Sequence, residues 1–155
     1  MRGIIAAGTH IPHYRLDRTE VAAFFGKGGG RGQRSVASYD EDTTTMGVAA
    51  ARRALAATDL EPHALWFATA SPAYLEKTNA TAVHAALQLG PEVGALDFGG
   101  ALRSGAGALR TALTAGVSTL VVAADQRGGQ HSVAPGNGVE GLAALPASLI
   151  GRLLR

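Results

Sequence analysis

A chain of 155 residues is long enough for one domain with a real core and too short for two comfortable ones. A net charge of only +2 gives no global pull toward nucleic acid, and the absence of cysteine excludes disulfides, thiolate metal sites and cysteine nucleophiles. Few aromatics beside 21 glycines and abundant alanine suit helices packed closely on a sheet through small side chains.

The amino terminus, MRGIIAAGTHIPHYR, holds an apolar run that meets His10, Pro12 and His13 too early for a membrane span or a good signal peptide, so a soluble cytoplasmic protein with no membrane partner is expected. Residues 3–11 read as a buried first strand ending at Pro12. Asp17 is placed to cap a short helix through Phe25, with Val21, Phe24 and Phe25 as its apolar face. GKGGGRGQRS reads as loop. Asp40, Glu41 and Asp42 then precede an alanine-rich helix on which Met46, Ala50, Ala54 and Ala57 share a face, with Arg52 and Arg53 near its end; both charge placements complement the helix dipole.

Residues 65–70, LWFATA, form the next predicted strand, turning at Ser71-Pro72. Asn79 is expected to cap a helix carrying Val83 and Leu87 and ending at Gly90-Pro91. A strand over 93–98, a helix over 104–115 and a strand over 118–124 follow. Alternating strands and helices predict an α/β fold, a mostly parallel sheet with helices on both faces. Periodicity fails after Asp125. Residues 126–155 are therefore expected to be an irregular Gly/Pro-rich tail, in which LAALPASLIGRLL forms a short helix broken at Pro146.

Several residues invite chemical readings. The tract around Lys27, Arg31 and Arg34 has the donors for phosphate, yet it fits neither GxxxxGK[ST] nor a GxGxxG placed between strand and helix, and it lacks the aromatics of a nucleic-acid surface. The five histidines show no HxxxH or HExxH spacing, so no metal site is expected. His10 and His13 lack an acid partner nearby in sequence, and His84 falls on the Ala80–Gln88 side of its helix, facing solvent. Ser104, at the strand-to-helix bend DFGGALRSGAGALR, lacks a GxSxG setting and reads as the N-cap of a helix starting at Gly105.

The series GIIAAGTHIPHYRL, RSVASYDEDTTTMGVAAARRAL, LWFATASPAYLEKTNATAVHAALQL, ALDFGGALRSGAGALRTAL and STLVVAADQR resembles the amino-terminal half of the thiolase superfamily, nearest to hydroxymethylglutaryl-CoA synthase and then to ketoacyl-acyl-carrier-protein synthase III. The resemblance covers residues 3–127, and DEDTTTMGVAAARRAL is its most specific part. It implies a thiolase-like layered half-fold over residues 1–125, incomplete relative to the full family fold. The family's nucleophilic cysteine falls here on Leu102 and its acid/base glutamate on Ala70, while its further His and Asn belong to a carboxy-terminal half without counterpart in these residues. No catalytic residue is therefore carried over.

The arginine that contacts CoA phosphate in ketoacyl synthases is matched by Arg34, with Arg31 as the second candidate. The resemblance thus implies a protein of acyl-CoA and lipid metabolism that is a non-catalytic acyl-CoA-binding or scaffold half, with CoA or acyl-CoA as ligand and no tightly bound cofactor. It also implies an oligomer, formed with itself or with a thiolase-like or zinc-ribbon/OB-fold partner. Two alternatives stand beside it: an acyltransferase active only when another chain supplies the missing half, and a truncated product.

Overall fold

The computed structural model describes residues 3–28, 30–101 and 103–126, and the backbone of 149–154. The chain begins with β1 (Ile4–His10), followed by a hairpin of β2 (Tyr14–Asp17) and β3 (Gln33–Val36) that encloses α1 (Arg18–Phe25). Asp17 caps α1 as expected, its carboxylate accepting the Thr19 N–H at 2.9 Å, and Gly26 ends the helix in the left-handed conformation. The expected apolar face of α1 is not covered. None of its residues is buried, and Phe24 is 82% exposed. The tract expected to be loop throughout becomes strand at Gln33, because Gln33 to Val36 find backbone partners in β2.

Asp42 starts α2 (Thr43–Leu55) with a reciprocal capping box: its carboxylate accepts the Thr45 N–H, and the Thr45 hydroxyl accepts the Asp42 N–H. Met46, Ala50 and Ala54 are buried as their spacing predicts, whereas Ala57 lies beyond the helix end and is exposed. β4 (Ala64–Thr69), α3 (Asn79–Leu87), β5 (Gly94–Gly99), α4 (Arg103–Thr114) and β6 (Thr119–Ala123) follow in the predicted order. α3 stops at Leu87, short of Gly90-Pro91, because Gln88 adopts a left-handed conformation.

Five strands form one sheet in the order β1-β7-β6-β4-β5, where β7 is Leu149–Leu154. β4 pairs in parallel with β5 and β6, while β7 lies antiparallel between β6 and β1. β1 therefore runs in the same direction as β4, β5 and β6. The strand at 149–154 replaces the short broken helix expected there; residues 127–148 and 155 of the expected tail lie outside the described residues. Its physical cause is the slot it fills. β1 and β6 each present a row of backbone N–H and C=O groups to the gap, and pairing with both outweighs a weak helical pattern that contains a proline.

Helices cover both sheet faces, and the alternation within β4 shows how. Leu65 and Phe67 join Met46, Ala50, Ala51, Val83, Leu120 and Val122 under α2 and α3, whereas Trp66 and Ala68 join Ala108, Ala112 and Val121 under α4. Small residues set the layer spacing. A Cβ at Gly47 in α2 would lie 3.2 Å from both Phe67 and Val122, and one at Gly105 in α4 would lie 3.5 Å from Ala123. Gly8 is the tightest against backbone: its missing Cβ would lie 2.3 Å from the Ala50 carbonyl and 2.5 Å from the Ala54 nitrogen.

Candidate functional site

Because β1, β4, β5 and β6 run alike, their carboxyl ends share one rim of the sheet, where the helices begin. Two aspartates order that rim. Asp97, on β5, accepts the N–H groups of Asn79 and Ala80, each at 2.7 Å, and so caps α3 from a neighbouring strand. Asn79 is thus the first residue of α3, not its cap. Its side chain instead fastens the preceding loop through Tyr74, accepting the N–H and donating to the carbonyl, both at 2.9 Å. Nothing local in sequence marks Asp97 as this cap, since the pairing spans 17 and 18 residues and depends on strand order.

Asp125, just beyond β6, plays the matching part for β4. Its Oδ1 accepts the Ala70 N–H at 2.6 Å, closing the end of the strand next door. Ala70 is exposed there and carries no acid function. The α2 terminus is tied to the same rim by the Thr43 hydroxyl, which donates to the Ser71 carbonyl at 2.9 Å.

The bend after β5 turns at Gly100, whose φ of 94° suits only glycine, and α4 begins at Arg103, two residues before the expected start. Ser104 is therefore inside the helix and does not cap it. Its N–H donates to the Ala101 carbonyl and its hydroxyl to the Gly99 carbonyl at 2.8 Å, so Ser104 closes the bend back on β5, and among the described residues no general base is hydrogen-bonded to it. Leu102 lies outside the described residues.

His10 does have an acid partner, Glu41, which lies 31 residues away in sequence and donates no local signal. The His10 Nε2 to Glu41 Oε1 distance is 2.7 Å, and both side chains are mostly buried. The Ser38 N–H bound to Glu41 Oε2, with His10 adding to it, holds the Glu41 carboxyl below its usual range. His13 stacks edge-on against Tyr14. His84 is half-buried, its Nε2 3.1 Å from the Gly90 carbonyl, so the expected solvent-facing position is corrected: the chain folds back at Gln88 and brings Gly90 over the ring.

Arg34 sits on β3 opposite Leu16, half-buried, with its Nε enclosed and without a hydrogen-bond partner among the described residues. Arg31 is exposed in the loop before it. Among the described residues no hydrogen bond or ion pair links either arginine to the bend. Among the described residues no cluster of metal-ligating side chains exists, and no helix is long and apolar enough to cross a membrane.

Comparison with known proteins explains this rim. The chain is 36% identical over 115 residues to hydroxymethylglutaryl-CoA synthase of Thermococcus sibiricus, and 36% identical over 123 residues to that of Methanosphaera stadtmanae. The alignments cover 72% and 73% of this chain. The chain resembles hydroxymethylglutaryl-CoA synthases of the thiolase superfamily. It spans 33% and 36% of those relatives, about a third of their length.

The fold agrees. A 3-oxoacyl-(acyl carrier protein) synthase III from Xanthomonas oryzae superposes with a TM-score of 0.84 at 18% identity, covering 99% of this chain and 55% of that one. PksG, an HMG-CoA synthase from Bacillus subtilis, superposes with a TM-score of 0.75 at 21% identity, covering 99% of this chain and 40% of that one. No family model matches the sequence. The fold is thus thiolase-like, and the sequence is hydroxymethylglutaryl-CoA-synthase-like.

Proposed function

We propose that this thiolase-fold chain is a non-catalytic, acyl-CoA-binding or scaffold part of acyl-CoA metabolism. The observation that carries the reading is the absence of any cysteine from a chain that keeps the strand, bend and helix of the thiolase site. Acyl transfer by a thiolate needs a sulfur nucleophile at the mouth of α4, and leucine at position 102 cannot supply one. Ser104 does not substitute for it, since its hydroxyl proton is committed to the Gly99 carbonyl.

Arg34 and Arg31 are the candidate phosphate contacts. Arg34 carries an enclosed guanidinium Nε without a hydrogen-bond acceptor among the described residues, which supports its pairing with an anion. Calorimetric titration of CoA and acetyl-CoA, with Arg34→Ala alongside, tests the reading. Saturable binding that weakens roughly tenfold in the variant supports it, in line with loss of a charge-assisted contact. A folded chain that binds neither compound overturns the acyl-CoA part.

One observation favours a second reading, in which a partner chain supplies the missing half and makes an acyltransferase. α4 covers β4 and β6 but leaves Ile5, Ala7 and Thr9 of β1 exposed on that side, and Leu113 of α4 is 37% exposed. A thiolase-like partner bearing cysteine and histidine is the occupant that such a surface suits. Its co-purification with this chain, lost in Ile5→Glu, supports the heteromer; isolation of the chain by itself counts against it.

A further inference from the structure

At the end of the sheet opposite the rim, where β4 and β5 begin, the last turns of α2 and α3 and the connections that leave them line a cavity of about 390 Å³. Its floor is apolar: Leu55, Leu60, Leu87 and Leu89 are half-buried and Val93 is buried. Its mouth is acidic, because Asp59 and Glu61 on one wall and Glu92 on the other are exposed. Among the described residues no hydrogen bond or ion pair takes up any of these carboxylates. Both walls are fixed from within. The Ser118 hydroxyl donates to the Glu61 carbonyl at 3.0 Å and the Leu60 N–H to the Thr58 hydroxyl at 3.2 Å, while across the cavity the Val93 N–H donates to the Gly90 carbonyl at 3.0 Å. A pocket held open in this way needs no rearrangement to be filled.

Backbone polarity has the same sign as the side chains. α2 and α3 both end at the cavity, and helix carbonyls point toward the carboxyl end, so two partial negative charges face one space. Arg52 answers one of these carbonyls, that of Ala86, at 3.0 Å. The Leu87 carbonyl accepts no hydrogen bond among the described residues, and Pro91, four residues on, has no N–H to give it. Gly90 also shapes the mouth: a Cβ there would run into the Glu92 carboxylate, so glycine lets Glu92 fold back along its wall.

An anion is repelled from such a place, CoA included. A metal ion needs ligands that converge, and among the described residues no group of three acids or histidines does so. Charges set apart around an apolar floor match a ligand with cationic ends and a hydrocarbon middle. We infer that this cavity binds a linear aliphatic diamine or polyamine, its methylenes on the leucines and its ammonium groups on Glu92 and on Asp59 with Glu61. The cavity includes neither the rim nor Arg34, and the inference does not rest on the acyl-CoA reading.

Calorimetric titration of the whole chain with hexamethylenediamine tests this, with hexylamine, hexanoate and calcium chloride as parallel titrants at one ionic strength. One saturable site for the diamine, about tenfold tighter than for hexylamine and closed to hexanoate, supports the inference. Glu92→Gln combined with Asp59→Asn should weaken the diamine about tenfold, as the loss of two exposed ion pairs requires. Gly90→Ala meets only the flexible end of Glu92, so it should keep the circular dichroism of the parent chain and weaken the diamine with every carboxylate still present. Diamine and hexylamine bound alike, an affinity unchanged in the double variant, or calcium bound more tightly than the diamine overturns the inference. So does equal binding of Nα-acetyl-lysine methylamide, which would assign the cavity to a lysine of a partner protein. The acyl-CoA reading fails separately: Arg34→Ala should leave the diamine titration unchanged, and Glu92→Gln should leave that of CoA unchanged.

Discussion

At the residue scale, the contact between His10 and Glu41 ties the tip of β1 to the segment that leads into α2. Because Glu41 is held below the usual carboxylate range by the Ser38 amide and then by His10, its folded form binds a proton less readily than its unfolded form. It therefore contributes stability above about pH 4.5, its ordinary value, and loses it as pH falls through the lower folded value. Urea unfolding followed between pH 3 and pH 7 should show a shallower acid limb in Glu41→Gln, with the difference largest near neutrality, at about 1 kcal/mol. An identical pH dependence in both proteins would show that the contact carries no charge-dependent energy. Gly8 offers a steric test at the same scale. Gly8→Ala drives a methyl into the Ala50 and Ala54 backbone, which cannot rotate away, so a loss of about 2–4 kcal/mol is expected in chemical denaturation, against near neutrality for Gly94→Ala, where a Cβ meets nothing.

At the element scale, the organising contact is Asp97. It supplies the N-terminal cap that Thr78, in cap position without a side-chain bond, does not give α3. Asp97→Ala leaves two partly buried amides unpaired and should cost about 1–3 kcal/mol, with increased amide exchange in the first turn of α3 and little change in α2. Local patterns made the elements legible: the capping sequence before α2, the continuous apolar runs of β4 and β6, and the small residues of α4 each announce one element. What joins elements did not show. Asp97 with α3, Asp125 with β4 and His10 with Glu41 are all pairings set by strand order, and no local period encodes strand order. β7 was missed for the same reason: LIGRLL becomes a strand because β1 and β6 both need a partner at that place. A chain lacking residues 149–155 leaves both strands unpaired on one side and should lose cooperative unfolding, measured by circular dichroism on heating; a sharp transition near that of the whole chain would contradict this place for β7.

At the scale of the whole molecule, the thiolase fold explains the bend, the small residues of α4 and the ring of helix starts at one rim, and the same fold makes the missing sulfur informative. Two readings of the candidate site, Leu102 at the position of the family's cysteine and phosphate contact through Arg34 and Arg31, rest on residue identity and on the resemblance alone. The commitment of Ser104 to the Gly99 carbonyl became visible only with coordinates. The central claim joins two properties, retention of acyl-CoA and absence of acyl transfer, and native mass spectrometry of the chain with acetyl-CoA reads both in one spectrum. A non-covalent complex that dissociates on activation to protein of unmodified mass is expected. A covalent acetyl adduct, above all one abolished by Ser104→Ala, would contradict the non-catalytic assignment, and the absence of any complex would contradict acyl-CoA binding.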